Sequence, residues 1–268
     1  MVWVYLQINT YMKTIRQFTT SSIFGAQLFL IVALLISVYG VTIYGMSLAS
    51  FGLVLLGYFM YGCLGIVVTY HRYLTHTGYS TSPWLVKLFS LFGVFAGTGS
   101  PLAWANIHVN HHLYSDKPGD PHSPSIDGVK IFTLEYKVKD KTRFLKHILS
   151  DGYQRMLHRY YFLVLVSYSI LLYAIGGLYL MVFLHLLPAA ITAIMSNVVN
   201  FVGHKPEWFG GYRTFNLKDT SANNWLWAIP SWGESWHNNH HRFPKNYTFA
   251  QKWYEFDIAG LIIKTIKT

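Results

Sequence analysis

Charge is what this sequence has least of: Asp, Glu, Lys and Arg make up 12% of its 268 residues, about half the share of an ordinary soluble domain. None of the four occurs between Arg16 and Arg72, or between Arg159 and Lys205. Helices of a soluble fold usually carry a polar stripe, so these two blocks argue against a water-surrounded protein. Cysteine is nearly absent as well. The single Cys63 has no intramolecular partner, so nothing points to a disulfide framework or an oxidising compartment. No internal repeat and no low-complexity linker divides the chain, which reads as one domain over residues 1-268.

What is present is apolar. Hydrophobic residues make up 52% and aromatics 18%. A membrane-spanning helix needs roughly 20 apolar residues, so each uncharged block is long enough for two spans and a turn. The expected fold is all-α and integral to a membrane, with four transmembrane helices in two hairpins. The spans run from Ile23 to about Tyr39, Ser50 to about Thr69, Tyr161 to Ile175 and Leu178 to Val202. Gly40 and Gly45 mark the first reversal and Gly176-Gly177 the second. Lys13, Arg16, the basic middle and the basic C-terminus lie on one side, and Lys and Arg accumulate in cytoplasmic segments. Both termini and a cap of residues 70-160 and 203-268 are therefore expected in the cytoplasm. The stretch Trp84 to Gly97 is too short to span and reads as an interfacial or re-entrant helix. Residues 115 to 128 form a turn-rich loop, and Lys130 to Arg159 is basic and partly helical.

Thirteen histidines stand against this background. Eight fall into three clusters: His71 and His76 in HRYLTH, His108, His111 and His112 in HVNHH, and His237, His240 and His241 in HNNHH. In a helix, residues i, i+3 and i+4 lie within about 100° of one another, so each HxxHH reads as a tridentate half-cage. Positions i and i+5 are about 140° apart on a regular helix, so HRYLTH demands a helix end or kink. Asn200 and His204 form a further pair at the end of the fourth span. Nine neutral imidazoles without a carboxylate cluster favour iron, zinc or copper over calcium or magnesium. Nine are too many for one ion, and two ions is the economical reading. Asp116, Asp120 and Glu234 lie close enough in sequence to fix imidazole tautomers from behind.

The other histidines read differently. His185 precedes His204 by 19 residues, about 28 Å along a helix, and is expected to be a non-ligand near the far face. His147 and His158 sit in basic, polar surroundings and read as surface or interface residues, and His122 is left outside the metal site. The formal net charge of +10 suits an anionic lipid surface or an acidic electron-carrier protein. Nucleic acid is excluded because no basic cluster is interleaved with stacking aromatics. A membrane zinc hydrolase would need the general-base Glu of HExxH, which is absent. A metal transporter or haem-binding electron carrier is the alternative from another class, although transport sites lie near the midplane rather than at helix ends.

The boxes HxxxxH, HxxHH and HxxHH, in that order, with NxxxH at Asn200 and His204, resemble the membrane fatty acyl desaturases of the stearoyl-CoA, or Δ9, type. The segments CLGIVVTYHRYLTH, HHLYSDKPGDPH and GESWHNNHHRFP agree, the last being most similar to the cyanobacterial and plant branch. From roughly Gly40 to the C-terminus, the resemblance implies an oxidoreductase of lipid metabolism that introduces a cis double bond, at Δ9, into a saturated acyl chain. It implies two iron ions held by His71, His76, His108, His111, His112, His204, His237, His240 and His241, with Asn200 acting through a water, and O2 as co-substrate. Trp104 would line the acyl tunnel, and Phe59 and Cys63 would lie near its closed end. Where animal acyl-CoA enzymes carry an Arg-Asp pair this chain has Asn106-Ile107, and Asn197 replaces a tryptophan. Both changes weaken the case for CoA recognition and leave acyl-lipid or another carrier open beside acyl-CoA. No electron-carrier domain is fused, so a separate donor of ferredoxin or cytochrome b5 type is implied. A membrane hydroxylase or ketolase would use the same ligands and differ in product.

Overall fold

The computed structural model describes residues 25–133, 136, 138, 144–205 and 210–268. Ile23, Lys13 and Arg16 lie outside the described residues. Among the described residues there is no strand, only three isolated β-bridges, and they form a succession of helices.

Three helical runs are long and apolar enough to cross a membrane: Gly25–Tyr44, Leu48–Thr75 and Tyr161–Gly203. The first, α1, continues through Gly40, which was expected to mark a turn. Glycine serves there for close approach, since a Cβ would stand 2.8 Å from a methyl of Val182. The break falls at Gly45, whose φ of +68° suits a residue without a side chain. Ser47 then caps α2, Leu48–Thr75, by exchanging hydrogen bonds with Ser50.

The third run contains a break. Gly176 and Gly177 leave helical geometry, with φ of -139° and +62°. Ser169 Oγ and His185 Nδ1 lie 3.0 Å apart, whereas a continuous helix would separate them by about 24 Å. The segments on either side of the glycines therefore lie alongside each other. They are the part of α7, Tyr161–Met181, before the glycines, and the run that continues from the end of α7 through the π turn Val182–Leu186 into α8, Leu187–Gly203. Leu35, Leu163, Ile170 and Ile175 are exposed along α1 and α7, an arrangement that suits hydrocarbon as solvent.

Four shorter helices join these runs. α3, Pro83–Phe95, is too short to span and packs closely on α2, where a Cβ on Gly65 would come within 2.4 Å of Gly93 N. α4, Pro101–Tyr114, starts with Pro101 at its first position and Ser100 capping Ala103 N. α5, Lys146–Ser150, and α6, Gly152–Arg159, follow. The C-terminal region adds α9, His237–Arg242, and α10, Ile258–Ile266, the latter capped by Asp257. The loop after α4 includes a single helical turn, Pro124–Asp127.

Three histidines outside the boxes are structural. His185 is fully buried and also approaches the Phe95 carbonyl at 3.1 Å. His158 is buried against the Ser100 hydroxyl, rather than at a surface, because that hydroxyl also caps α4. His147 Nε2 donates to the Leu74 carbonyl at 2.6 Å and ties α5 to the end of α2.

Candidate metal centre

The lower part of α2, Phe59–Thr75, is a π-helix. In a π turn the backbone bonds run from i+5 to i, so residues five apart stack as residues four apart do in an α-helix. His76 N donates to His71 O at 3.1 Å. The HRYLTH pair thus shares a face because the whole segment is wound wider, and the expected helix end is present as well, with His76 at the C-cap.

Nine imidazoles assemble into two groups able to hold a metal. The first is His71, His76, His108, His112 and His240, and the second His111, His204, His237 and His241; within each group the ligating atoms lie within 4.8 Å of one another. Each HxxHH box divides between them, which corrects the expected three-to-one-point geometry. His108 and His112 enter the first group while His111 enters the second; His237 and His241 enter the second while His240 enters the first. On an α-helix i+4 lies about 40° from i, and i+3 about 60° away on the other side. Ring centroids follow: 4.7 Å for His108–His112 and 4.5 Å for His237–His241, against 5.8 Å for His111–His112 and 5.6 Å for His240–His241.

All contacts within the groups are between Nε2 atoms. They include His71–His240 at 3.1 Å, His76–His108 at 3.0 Å and His112–His240 at 2.8 Å in the first group. In the second they include His204–His111 and His204–His237 at 3.1 Å and His111–His241 at 3.3 Å. Carboxylates fix the tautomer from behind. Asp120 accepts a hydrogen bond from His111 Nδ1 at 3.0 Å, Asp116 from His204 Nδ1 at 3.0 Å, Asp219 from His241 Nδ1 at 3.2 Å, and Glu234 from His71 Nδ1. A ring that donates from Nδ1 presents a bare lone pair at Nε2. The Nε2 atoms of His111, His204 and His241 therefore aim lone pairs at each other across about 3 Å, an arrangement that is repulsive until a cation lies between them. The donor set fits a transition metal in each group.

Electrostatics keep the rings in ligating form. Burial, and then the charge of neighbouring histidines, holds His108, His112, His237, His240 and His241 well below the ordinary histidine range. Burial would raise the Asp120 carboxyl, but its hydrogen bond and charge interaction with His111 draw it down to about 2. Asp116 is lowered in the same way, burial being outweighed by His204 and Thr220.

Asp120 and Glu234 stand behind box histidines, and Asp116 behind His204. Asp219 was missed: it sits 22 residues before His241 with no spacing rule to connect them. Arg72 was missed too, although a charged residue at the end of an uncharged span is a signal in its own right. His122 stacks on His111 with centroids 4.3 Å apart and, with Asp120, forms a third cluster that includes His111.

A cavity opens beside the two groups. Trp104, stacked on His108 at 5.2 Å, lines it together with Asn200, Asn197, His122 and His237. Phe59 and Cys63 are not in its lining. Their predecessors Tyr58 and Gly62 are, along with Trp232. Cys63 instead packs with Val67, Phe89, Ala259 and Ile263, and Phe59 lies against that cluster. The offset is one residue, which turns a side chain by about 100° on a regular helix.

Helices fit for a bilayer and two polyhistidine clusters able to hold metal, beside a cavity, define the class: a membrane-type protein with a candidate metal centre. The sequence model of the fatty acid desaturase family matches residues 45–264. The sn-1 stearoyl-lipid 9-desaturase of Anabaena variabilis is 32% identical over 225 residues, covering 81% of this chain and 80% of the relative. The Delta-9 acyl-lipid desaturase 1 of Arabidopsis thaliana is 32% identical over 214 residues, 77% of this chain and 68% of the relative. An acyl-CoA C20 Delta5-desaturase of Anemone leveillei is 32% identical over 218 residues, 78% of this chain and 68% of the relative. This chain belongs to the fatty acid desaturase family, and it is an oxidoreductase acting as a fatty acid desaturase.

Proposed function

We propose that the chain is an O2-dependent di-iron desaturase that introduces a cis double bond at Δ9 of a saturated acyl chain. The observation that carries this reading is the division of both HxxHH boxes between two Nε2 clusters beside one cavity. His71, His76, His108, His112 and His240 would hold one iron. His111, His204, His237 and His241 would hold the other, with Asn200 acting through a water. The iron pair supplies the oxidising chemistry with O2.

The protein's own part is positioning and exclusion of water. The four carboxylates keep protons on Nδ1 and leave Nε2 free. Trp104 stacks on His108 and forms an apolar wall next to the metal-binding face. Tyr58, Gly62 and Trp232 bound the lining contributed by α2 and the loop before α9, and would limit how far an acyl chain enters.

Four spans in two hairpins, with both termini and the histidine-bearing cap in the cytoplasm, are the proposed topology. It is supported by the break at Gly176-Gly177 within α7 and by the basic flanks. The substrate is proposed to be an acyl-lipid, supported by the uncharged Asn106-Ile107 and Asn197 and by the acyl-lipid relatives; acyl-CoA, as in the Anemone relative's name, is the alternative. Electrons would come from a separate ferredoxin or cytochrome b5 type donor. Expression in a host lacking its own desaturase, followed by fatty-acid profiling with double-bond location, tests the reading. A hydroxylated product, or no unsaturated product from an iron-loaded chain, would overturn it.

A further inference from the structure

The carboxylates behind the imidazoles are unevenly divided. In the second group three of four rings are backed, His111 by Asp120, His204 by Asp116 and His241 by Asp219. In the first group, among the described residues, the backed ring is His71, and its partner Glu234 is shared with a cation. Arg72 is buried, with its Nη2 donating to Glu234 Oε1 at 2.9 Å and its Nε to the same oxygen at 3.3 Å. The other edge donates to Asp257 Oδ2 at 2.7 Å and to the Tyr247 carbonyl at 2.9 Å, and the guanidinium lies 3.8 Å above the Phe249 ring. Asp257 also accepts from the amides of Phe249 and Gly260. The guanidinium is thereby held on all sides.

A carboxylate behind a ligand imidazole lends negative charge to the ring and to the cation it binds, favouring the more highly charged state of that cation. A guanidinium on the same carboxylate withdraws that donation. Counting formal charges, Glu234, Arg72 and Asp257 sum to -1, while Asp116, Asp120 and Asp219 sum to -3. We propose that Arg72 is a positioning residue which, through Glu234 and His71, makes the two metal positions electronically unequal, so that the metal of the first group accepts an electron first. This rests on the di-iron reading above.

The test is a reductive titration of the full chain, purified in detergent and loaded with isotopically enriched iron. Dithionite supplies one electron per iron, and Mössbauer spectra follow each ion. Half of the iron is expected to become ferrous ahead of the other half. Arg72→Gln narrows that separation, Asp120→Asn also narrows it, and Glu234→Gln widens it. A merely structural role would not produce shifts of opposite sign. If Arg72→Gln does not accumulate, Glu234→Gln and Asp120→Asn still read the same electrostatics in opposite directions. Two bound irons that reduce together in the parent chain, an unchanged separation in a metal-replete Arg72→Gln, or shifts of the same sign in Glu234→Gln and Asp120→Asn would overturn the proposal. A parent chain that binds fewer than two metals would overturn the underlying reading instead.

Discussion

His111 stands back to back with Asp120, Nδ1 to Oδ1 at 3.0 Å, while its Nε2 faces both His204 and His241. One ring therefore links the second box to the end of α8 and to the third box. His111→Ala is expected to abolish unsaturated product and to remove about one metal per chain, because the remaining rings of the second group lose their common neighbour. Metal analysis of the purified variant checks this. Full occupancy with full activity would remove His111 from the site.

Asp219 offers a milder perturbation. Asp219→Asn keeps the shape but weakens the charge-assisted hydrogen bond to His241. The expected loss is about 10- to 100-fold in metal affinity or activity, the range for partners that orient metal-bound histidines. A competition titration against a chelator measures it, and an unchanged affinity would make Asp219 a bystander.

What the sequence revealed about this centre was residue type and spacing. Imidazole is the usual neutral nitrogen ligand, so the eight clustered histidines and His204 stood out, and Asp116, Asp120 and Glu234 stood out by lying near the clusters in sequence, although Asp116 and Glu234 back His204 and His71 from 88 and 163 residues away. Asp219 likewise reaches its histidine only through the fold, and it adjoins no cluster in sequence. The π winding of Phe59–Thr75 is a choice of backbone hydrogen-bond partner that no side chain in YHRYLT announces. It also explains why α-helical angles alone gave His71 and His76 no common face; the two HxxHH boxes lie on α-helices, where i+3 and i+4 fall on opposite sides of i and so separate. The apolar runs were equally legible, yet Gly40 stayed helical because Val182 needs its missing side chain, a contact between distant segments.

The cavity gives a prediction that separates neighbours in sequence. A Cβ on Gly62 would stand 3.1 Å from Trp232 Nε1 and from a Tyr58 ring carbon, whereas Cys63 packs away from the lining. Gly62→Val is expected to shift the product profile towards shorter acyl chains, and Cys63→Ala to leave it unchanged. Chain-length profiling of both variants decides, and the reverse pattern would return the tunnel end to Cys63.

Stability should fall in mild acid. Burial holds His158 down at about 4 in the folded chain, against about 6.5 when unfolded. Below pH 6.5 the unfolded chain takes up a proton that the folded chain refuses until about pH 4. The folded state thus loses stability across that window, by up to about 3 kcal/mol for this one group. Histidines of the metal centre add to the same trend, so the contribution of His158 is read as a difference. His158→Gln keeps a polar partner for Ser100 without titrating, and its melting temperature in detergent should decline less steeply between pH 6.5 and 4.5 than that of the parent chain. Parallel declines would show that His158 is protonated in the folded protein at no extra cost, and that the Ser100 contact survives its charging.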